Sequence, residues 1–410
     1  MHRFRRSGWL LAAAALLSAC AAPAPRPEPA AEPAPTAADW PRPDSYCASP
    51  DVLLDAHFET GNLGQCTVEA DGSFTLSLIP EDAPPINPSP WYAFRVSGAP
   101  GTTVRVRLEA TRGHIRYWPK TSVDGRNWTP LPPAQTDRDG DKSPWMTFAF
   151  ELDGAYRWVA GQEIMDTWDY QHRIRKLDAV DGVTAHLLGH SVEGRPLYIA
   201  ETDDRPEFVL FVGRQHPPEV TGAIAMRAFM DTVFADTELA LRFRDRFKLG
   251  VVPLMNPDGV ARGHWRHSVG DVDLNRDWGP FEQPETQAVI GWVEAQEAAG
   301  RELRLMIDFH STWEDLFYTP PKQDDPPDLV TRWLDAARAR LPDFPFRHVP
   351  STNLEQANSK NYFYSSRFKT QERLQPRRAV QTSRQIDSLS PLAVRCLLPG
   401  NAQARPVSLG

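Results

Sequence analysis

The sequence predicts two folded parts, an antiparallel β-sandwich followed by an α/β domain with a mixed sheet, and three observations carry that prediction. Between about residues 44 and 161 apolar and polar residues alternate with period two: Val104, Val106 and Leu108 against Arg105, Arg107 and Glu109, with Met146, Phe148, Phe150 and Leu152 behaving likewise. That is the pattern of strands with one buried face. From residue 162 onward, short apolar runs such as Phe208–Val212 and Leu303–Phe309 are separated by stretches at helical spacing, for example Ala225, Ala228, Phe229 and Val233. Buried strands alternating with helices build a layered α/β sheet. Finally, 410 residues with 41% hydrophobic and 24% charged side chains suffice for two cores. A net charge of -8 excludes nucleic acid as a partner, because no basic excess is left to neutralise phosphates.

In chain order, Arg3, Arg5 and Arg6 precede an apolar run from Trp9 to Leu17 and then Leu17-Ser-Ala-Cys20. The run is too short to span a bilayer and reads as an export signal. Leu-Ser-Ala-Cys resembles the lipobox of bacterial lipoproteins. That resemblance implies a lipoprotein signal over residues 1–20 with cleavage before Cys20, acylation of the Cys20 thiol, and an exported protein on a lipid anchor, periplasmic or at the outer membrane. Residues 21–43, dominated by Ala and Pro, bury too little surface to fold and form a semi-rigid tether. Residues 44–161 are the sandwich, with turn signals such as Asp124-Gly125 and Asp153-Gly154 between runs. In an oxidising compartment Cys47 and Cys66 can pair at its entry, two free thiols being the alternative, and Cys396 is left over. Trp91, Tyr117, Trp118 and Trp128 read as core or interdomain packing ahead of a glycan-stacking surface.

In the α/β part the patterns predict strands near 196–202, 208–213, 248–254 and 303–309, and helices near 219–234, 284–299 and 327–341. His216 falls just past a strand, Glu219 at a helix start three residues later, and His310 closes a second buried strand. Any one of these is more simply a satisfied polar residue. Together they suit zinc, whose catalytic sites take three imidazole or carboxylate ligands and keep a position open. Two such strands side by side and parallel bring the three together at their carboxyl ends, where α/β folds place ligands.

Between these ligands lie Asn256-Pro-Asp-Gly259, Trp265-Arg266 and Val272-Asp-Leu-Asn275-Arg276-Asp-Trp278. HxxE, NPDG, a DxNR-type segment and a late strand His, in that order, resemble the M14 zinc carboxypeptidases. Leu188-Gly-His-Ser-Val-Glu-Gly-Arg195-Pro resembles the hairpin opening their catalytic domain, here 162–370. Gly61-Asn-Leu with Trp91-Tyr-Ala-Phe-Arg-Val resembles the sandwich of the cytosolic-carboxypeptidase branch. The resemblance implies Zn2+ on His216, Glu219 and His310, a ligand set already known from carboxypeptidase A. It implies Asp273 as the partner orienting His216 and Arg266 as the oxyanion stabiliser. Asn275 and Arg276 would grip the terminal carboxylate of a peptide or protein, and Tyr364, in the aromatic cluster after Asn361, would close over the substrate.

The resemblance also implies a general-base Glu on a late strand, and there it stops. Residues 371–385 show no strand-like apolar run, the tail 371–410 no amphipathic helix, and Glu372 is the only Glu after Thr370. Either Glu372 is the base, or the segment has been replaced and the protein is a catalytically impaired homologue that binds peptide or glycan.

Overall fold

A computed structural model describes residues 46–81, 89–312, 314–321, 329–351, 353–368 and 378–383. Cys20, the lipobox, the tether and Glu372 lie outside the described residues. The sandwich and the α/β part fall in one compact unit, Arg42–Gly410. No helix among the described residues is long and apolar enough to cross a membrane.

Two sheets make the sandwich. One runs Tyr46–Ala48, Val52–Asp55, Ala93–Gly98, Tyr156–Ala160, Lys120–Ser122, Thr129–Pro130, and the other Gln65–Val68, Phe74–Leu78, Thr103–Ala110, Trp145–Glu151, Thr136–Asp137. Their inner faces close on Leu54, Phe74, Leu76, Phe94, Val96, Val106, Leu108 and Phe148, of which Val106, Leu108 and Phe148 are residues that the period-two alternation singles out. One pairing departs from the all-antiparallel expectation: Phe74–Leu78 lies parallel to Thr103–Ala110. Between them the chain crosses into the opposite sheet as Ala93–Gly98 and re-enters in its original direction. Cys47 and Cys66 are bonded, with their Cα atoms 6.1 Å apart.

The α/β part holds a mixed eight-stranded sheet in the order Val183–His190, Pro196–Thr202, Lys248–Val252, Glu207–Gly213, Glu302–His310, Arg378–Ser383, Leu316–Thr319, Arg347–Pro350. At its centre Glu207–Gly213 pairs in parallel with Lys248–Val252 and with Glu302–His310. All seven residues of Glu207–Gly213 are buried because both faces are covered. Val209 and Phe211 pack with the helix Val220–Val233, through Ala225, Phe229 and Val233. Phe208, Leu210 and Val212 pack on the other face with Val289, Trp292 and Val293 of the helix Pro284–Ala298.

Among the described residues four α-helices escaped the sequence reading, Thr167–Asp178, Glu238–Arg246, Pro257–Arg262 and Ser359–Tyr362. The first buries only Tyr170, Ile174 and Leu177 on an otherwise polar surface, and Asp166 and Asp169 close a capping box at its start. His190 ends the strand Val183–His190. The tail is also corrected: Arg378–Ser383 forms a strand between Glu302–His310 and Leu316–Thr319, parallel to the first and antiparallel to the second. A gap between two strands demands backbone partners, and main-chain pairing is met by a segment without an apolar pattern.

Candidate metal centre

The ligand geometry follows from how two parallel strands end. Glu207–Gly213 and Glu302–His310 run side by side, with Gly213 opposite Phe309, so His310 and the residues just after Gly213 leave the sheet at the same edge. His216 follows in the loop and Glu219 is the N-cap of the helix Val220–Val233. Gly222, one turn into that helix, lies so close that a Cβ there would meet the His310 carbonyl oxygen at 2.4 Å. Glycine therefore lets the helix start rest against the strand end. Nδ1 of His216 is 2.9 Å from Glu219 Oε1, and Nδ1 of His310 is 2.8 Å from Oε2. One ligand atom from each of His216, Glu219 and His310 lies within 4.8 Å of the others.

The far side of each imidazole is also held. Nε2 of His216 is 2.9 Å from Asp273 Oδ1, and Nε2 of His310 is 2.9 Å from Asp308 Oδ2. A carboxylate only accepts, so each Nε2 carries the hydrogen. A neutral ring then turns its Nδ1 lone pair toward Glu219. Three electron-pair donors converge, and a cation or protons must relieve their repulsion. Protons do so here. Burial disfavours charge on His310, yet the Asp308 and Glu219 carboxylates outweigh it and push its pKa up to about 10. His216 is raised too, burial being outweighed by Glu219 and Asp273. Burial would raise Glu219, but the two imidazoles hold it well below the usual carboxylate range. Two imidazoles, one carboxylate and a hydrogen-bonded outer carboxylate behind each ring fit zinc.

The Asn256-Pro-Asp-Gly259 motif and the opening hairpin become braces for this loop. Asn256 donates from Nδ2 to the Gln215 carbonyl at 3.1 Å and accepts from the Gly259 amide at 2.8 Å. Asp258, fully buried, ties the opening hairpin down through Ser191 Oγ at 2.6 Å, the Glu193 amide at 2.8 Å and Arg195 Nη1 at 2.8 Å. Three braces had no motif to reveal them. Asp308 sits two residues before His310, on the same strand face. Gln215 links Asp308 Oδ2, at 2.6 Å, to the Trp278 indole, at 2.8 Å. Arg214, buried and left-handed at φ 56°, donates to the Pro217 carbonyl at 2.7 Å and to the Tyr170 hydroxyl at 2.6 Å.

Comparison with known proteins bears on this geometry. The zinc carboxypeptidase family model matches residues 175–373, and the model of the cytosolic carboxypeptidase N-terminal domain matches 54–160. Over residues 175–373 the chain is similar to the M14 zinc carboxypeptidases. Human cytosolic carboxypeptidase 6 is 26% identical over 300 residues, covering 66% of this chain, which in turn spans 59% of that relative. A metallo-carboxypeptidase from Burkholderia cenocepacia superposes with a TM-score of 0.67 at 18% identity, over 84% of this chain and 96% of that one. One from Pseudomonas aeruginosa, in complex with (2-guanidinoethylmercapto)succinic acid, does so with 0.62 at 19%, over 84% and 98%. These two likenesses show the fold.

The remaining residues named from the M14 resemblance divide. Asp273 and Arg266 stand at the centre, with Arg266 Nε and Nη2 donating to Asp273 Oδ2 at 2.8 and 2.7 Å. Arg276 is exposed, and its Nη1 donates to the Asn275 carbonyl at 2.7 Å. Asn275, expected to act beside it, is buried with its side chain engaged. Its Nδ2 lies 3.2 Å from His310 Nε2 and its Oδ1 accepts from the Ser359 amide at 3.0 Å. Tyr364 is half-buried on the turn Phe363–Phe368. The four aromatics of the sandwich are packing residues: Trp91 donates to the Thr60 carbonyl at 2.7 Å, Trp118 to that of Leu131 at 2.9 Å, Tyr117 meets Trp265 across the domain boundary at 5.2 Å, and Trp128 packs with Trp91.

Proposed function

We propose that this protein is a zinc-dependent carboxypeptidase that removes carboxyl-terminal residues from peptides or proteins outside the cytoplasm. The convergence of His216 Nδ1, Glu219 and His310 Nδ1 at the ends of two parallel strands carries this reading. Zinc held there would polarise the scissile carbonyl and bring the pKa of a water towards roughly 7. Arg276, exposed near the centre, takes the terminal carboxylate, since a planar guanidinium forms two parallel hydrogen bonds that an internal peptide bond cannot match. Arg266 faces the charge developing on the carbonyl oxygen, held by Asp273. Tyr364 covers the bound residue. Export and lipidation at Cys20 are part of the same reading, supported by the Leu17-Ser-Ala-Cys20 pattern and by the Cys47–Cys66 bond, which needs an oxidising compartment.

A second reading, a homologue that binds metal and peptide or glycan but turns over slowly, is favoured by one observation. The strand beside His310, Arg378–Ser383, contains no Asp or Glu. Loss of a general base costs about 10²–10⁴-fold in rate. Zinc content of the purified protein, measured with release of terminal residues from a mixed peptide library, separates the two. One zinc per chain with stepwise release supports the peptidase, zinc without release supports the second reading, and absence of zinc overturns both. Glu372→Gln with unchanged turnover would remove Glu372 from the mechanism.

A further inference from the structure

Glu81 belongs to the sandwich, yet its carboxylate is spent entirely on the α/β part. Oε2 accepts from the Trp265 amide at 2.7 Å, and Oε1 accepts from the amides of Arg266 and, at 3.1 Å, His267. The flanking amides go elsewhere in the α/β part, His264 to the Gly259 carbonyl at 2.9 Å and Ser268 to that of Val272 at 2.9 Å. The three successive amides around Arg266 are thus satisfied from outside their own domain. The side chain of Trp265 is held from the same direction, between the Tyr117 ring at 5.2 Å and the Arg116 guanidinium at 5.6 Å. At Gly263, with φ 63°, a Cβ would meet the Thr60 carbonyl oxygen and the Trp91 ring at 2.9 Å each. The sandwich grips this loop tightly enough to dictate its backbone.

What the loop presents is Arg266. Its guanidinium meets Asp273 Oδ2, and Asp273 Oδ1 meets Nε2 of the ligand His216. We infer that Glu81 is a positioning residue of the metal centre: by clasping the Trp265–His267 backbone it sets the Arg266 guanidinium, and through Asp273 the His216 ring, so that the sandwich forms part of the catalytic apparatus. A carboxylate suits the task, because bonds from amides to an ionised acceptor are roughly twice as strong as neutral ones, and both oxygens together fix the loop in position and rotation. Trp265 lies 184 residues from Glu81, so the clasp exists only when the two domains are docked. The catalytic arm of this inference rests on the peptidase reading above.

The test compares Glu81→Ala with Glu59→Gln in the full chain. Glu59 is another sandwich carboxylate on a segment of the α/β part, accepting from the Thr167 amide and hydroxyl at 2.8 and 2.7 Å and making no bond to the Trp265–His267 backbone among the described contacts. In Glu81→Ala, kcat should fall at least about tenfold, within the ~10²-fold that misplacement can cost, with KM changed far less and zinc stoichiometry kept, while Glu59→Gln keeps wild-type kcat. Amide exchange read by mass spectrometry, with and without zinc, should show Trp265, Arg266 and His267 exchanging faster in Glu81→Ala and the rest of the sheet unchanged. If Glu81→Ala fails to fold, Glu81→Gln preserves the shape while turning one acceptor into a donor, and the same losses are expected. Wild-type kcat, an equal loss in Glu59→Gln, or unaltered exchange at the three amides overturns the inference. If wild-type protein with zinc releases no terminal residue, the peptidase reading fails on its own, and the exchange measurement alone decides the clasp.

Discussion

Asp308→Asn is the sharpest perturbation available to the centre. Asp308 Oδ2 accepts from His310 Nε2 at 2.9 Å, Gln215 Nε2 at 2.6 Å and Ser359 Oγ at 2.5 Å, and the residue is wholly buried. Asparagine keeps the volume but removes the charge, its carbonyl taking the place of Oδ2 and its NH₂ that of Oδ1, which has no hydrogen-bond partner among the described residues. His310 then keeps only a neutral, weaker acceptor for its Nε2 hydrogen, and its Nδ1 lone pair is held toward the metal less firmly. Removal of such an outer partner typically costs about 10–100-fold in metal affinity. At about 1.36 kcal/mol per tenfold, that is roughly 1.4–2.7 kcal/mol. Competition with a chromogenic chelator at neutral pH gives the zinc Kd directly. Asp273→Asn should lower affinity by a similar factor through His216, and should lower kcat as well because Arg266 is freed. A zinc Kd for Asp308→Asn within about twofold of wild type, against the 10–100-fold expected, would refute the idea that Asp308 sets the His310 tautomer.

Three other outcomes are expected. Glu285 is buried with one oxygen unpartnered, and burial, with Asp258 and Asp277 nearby, lifts its pKa from 4.5 to about 7. Its folded pKa being raised, the stabilisation from holding the proton is complete below about 4.5 and lost as pH rises through about 7, roughly 3 kcal/mol at about 1.4 kcal/mol per pH unit. Glu285→Gln should therefore match wild type in melting temperature at acid pH and exceed it at alkaline pH; parallel profiles would count against this. Reducing Cys47–Cys66, which closes a 19-residue separation, should cost about 3 kcal/mol, read as a shift of the sandwich's unfolding midpoint in denaturant with and without reductant. Arg276→Ala should raise KM for peptides with a free carboxyl end about 10–100-fold, the loss of a charge-assisted pair, and leave carboxyl-amidated peptides unaffected. A KM unchanged for both would remove Arg276 from substrate binding.

Much of the centre was legible because its signals are local. His216 and Glu219 are three residues apart at a strand-to-helix junction, and His310 ends an apolar run. The braces were less legible. Asp308 hid inside a strand read as apolar, although its place two residues before His310 was the available clue. Gln215 and Arg214 carry no motif, and their roles depend on Trp278 and Tyr170 reaching back from distant segments. Asn275 carries a motif signal for substrate contact, and the structure adds that its Oδ1 accepts from the Ser359 amide. The strand Arg378–Ser383 was missed because its place comes from a gap between two other strands, which leaves no periodicity in its own residues.

By itself the sequence determined the elements and the chemistry, that is, which runs are strands, which residues can bind a metal, and in what order they come, because periodicity and residue type are properties of the chain within a dozen positions. The tertiary structure alone decided which carboxylate backs which imidazole, that Asn275 faces inward, and that Glu81 reaches Arg266 from the other domain. Those facts depend on strand register and domain docking, where a shift of one residue or a few ångströms exchanges every partner, and no local pattern encodes them.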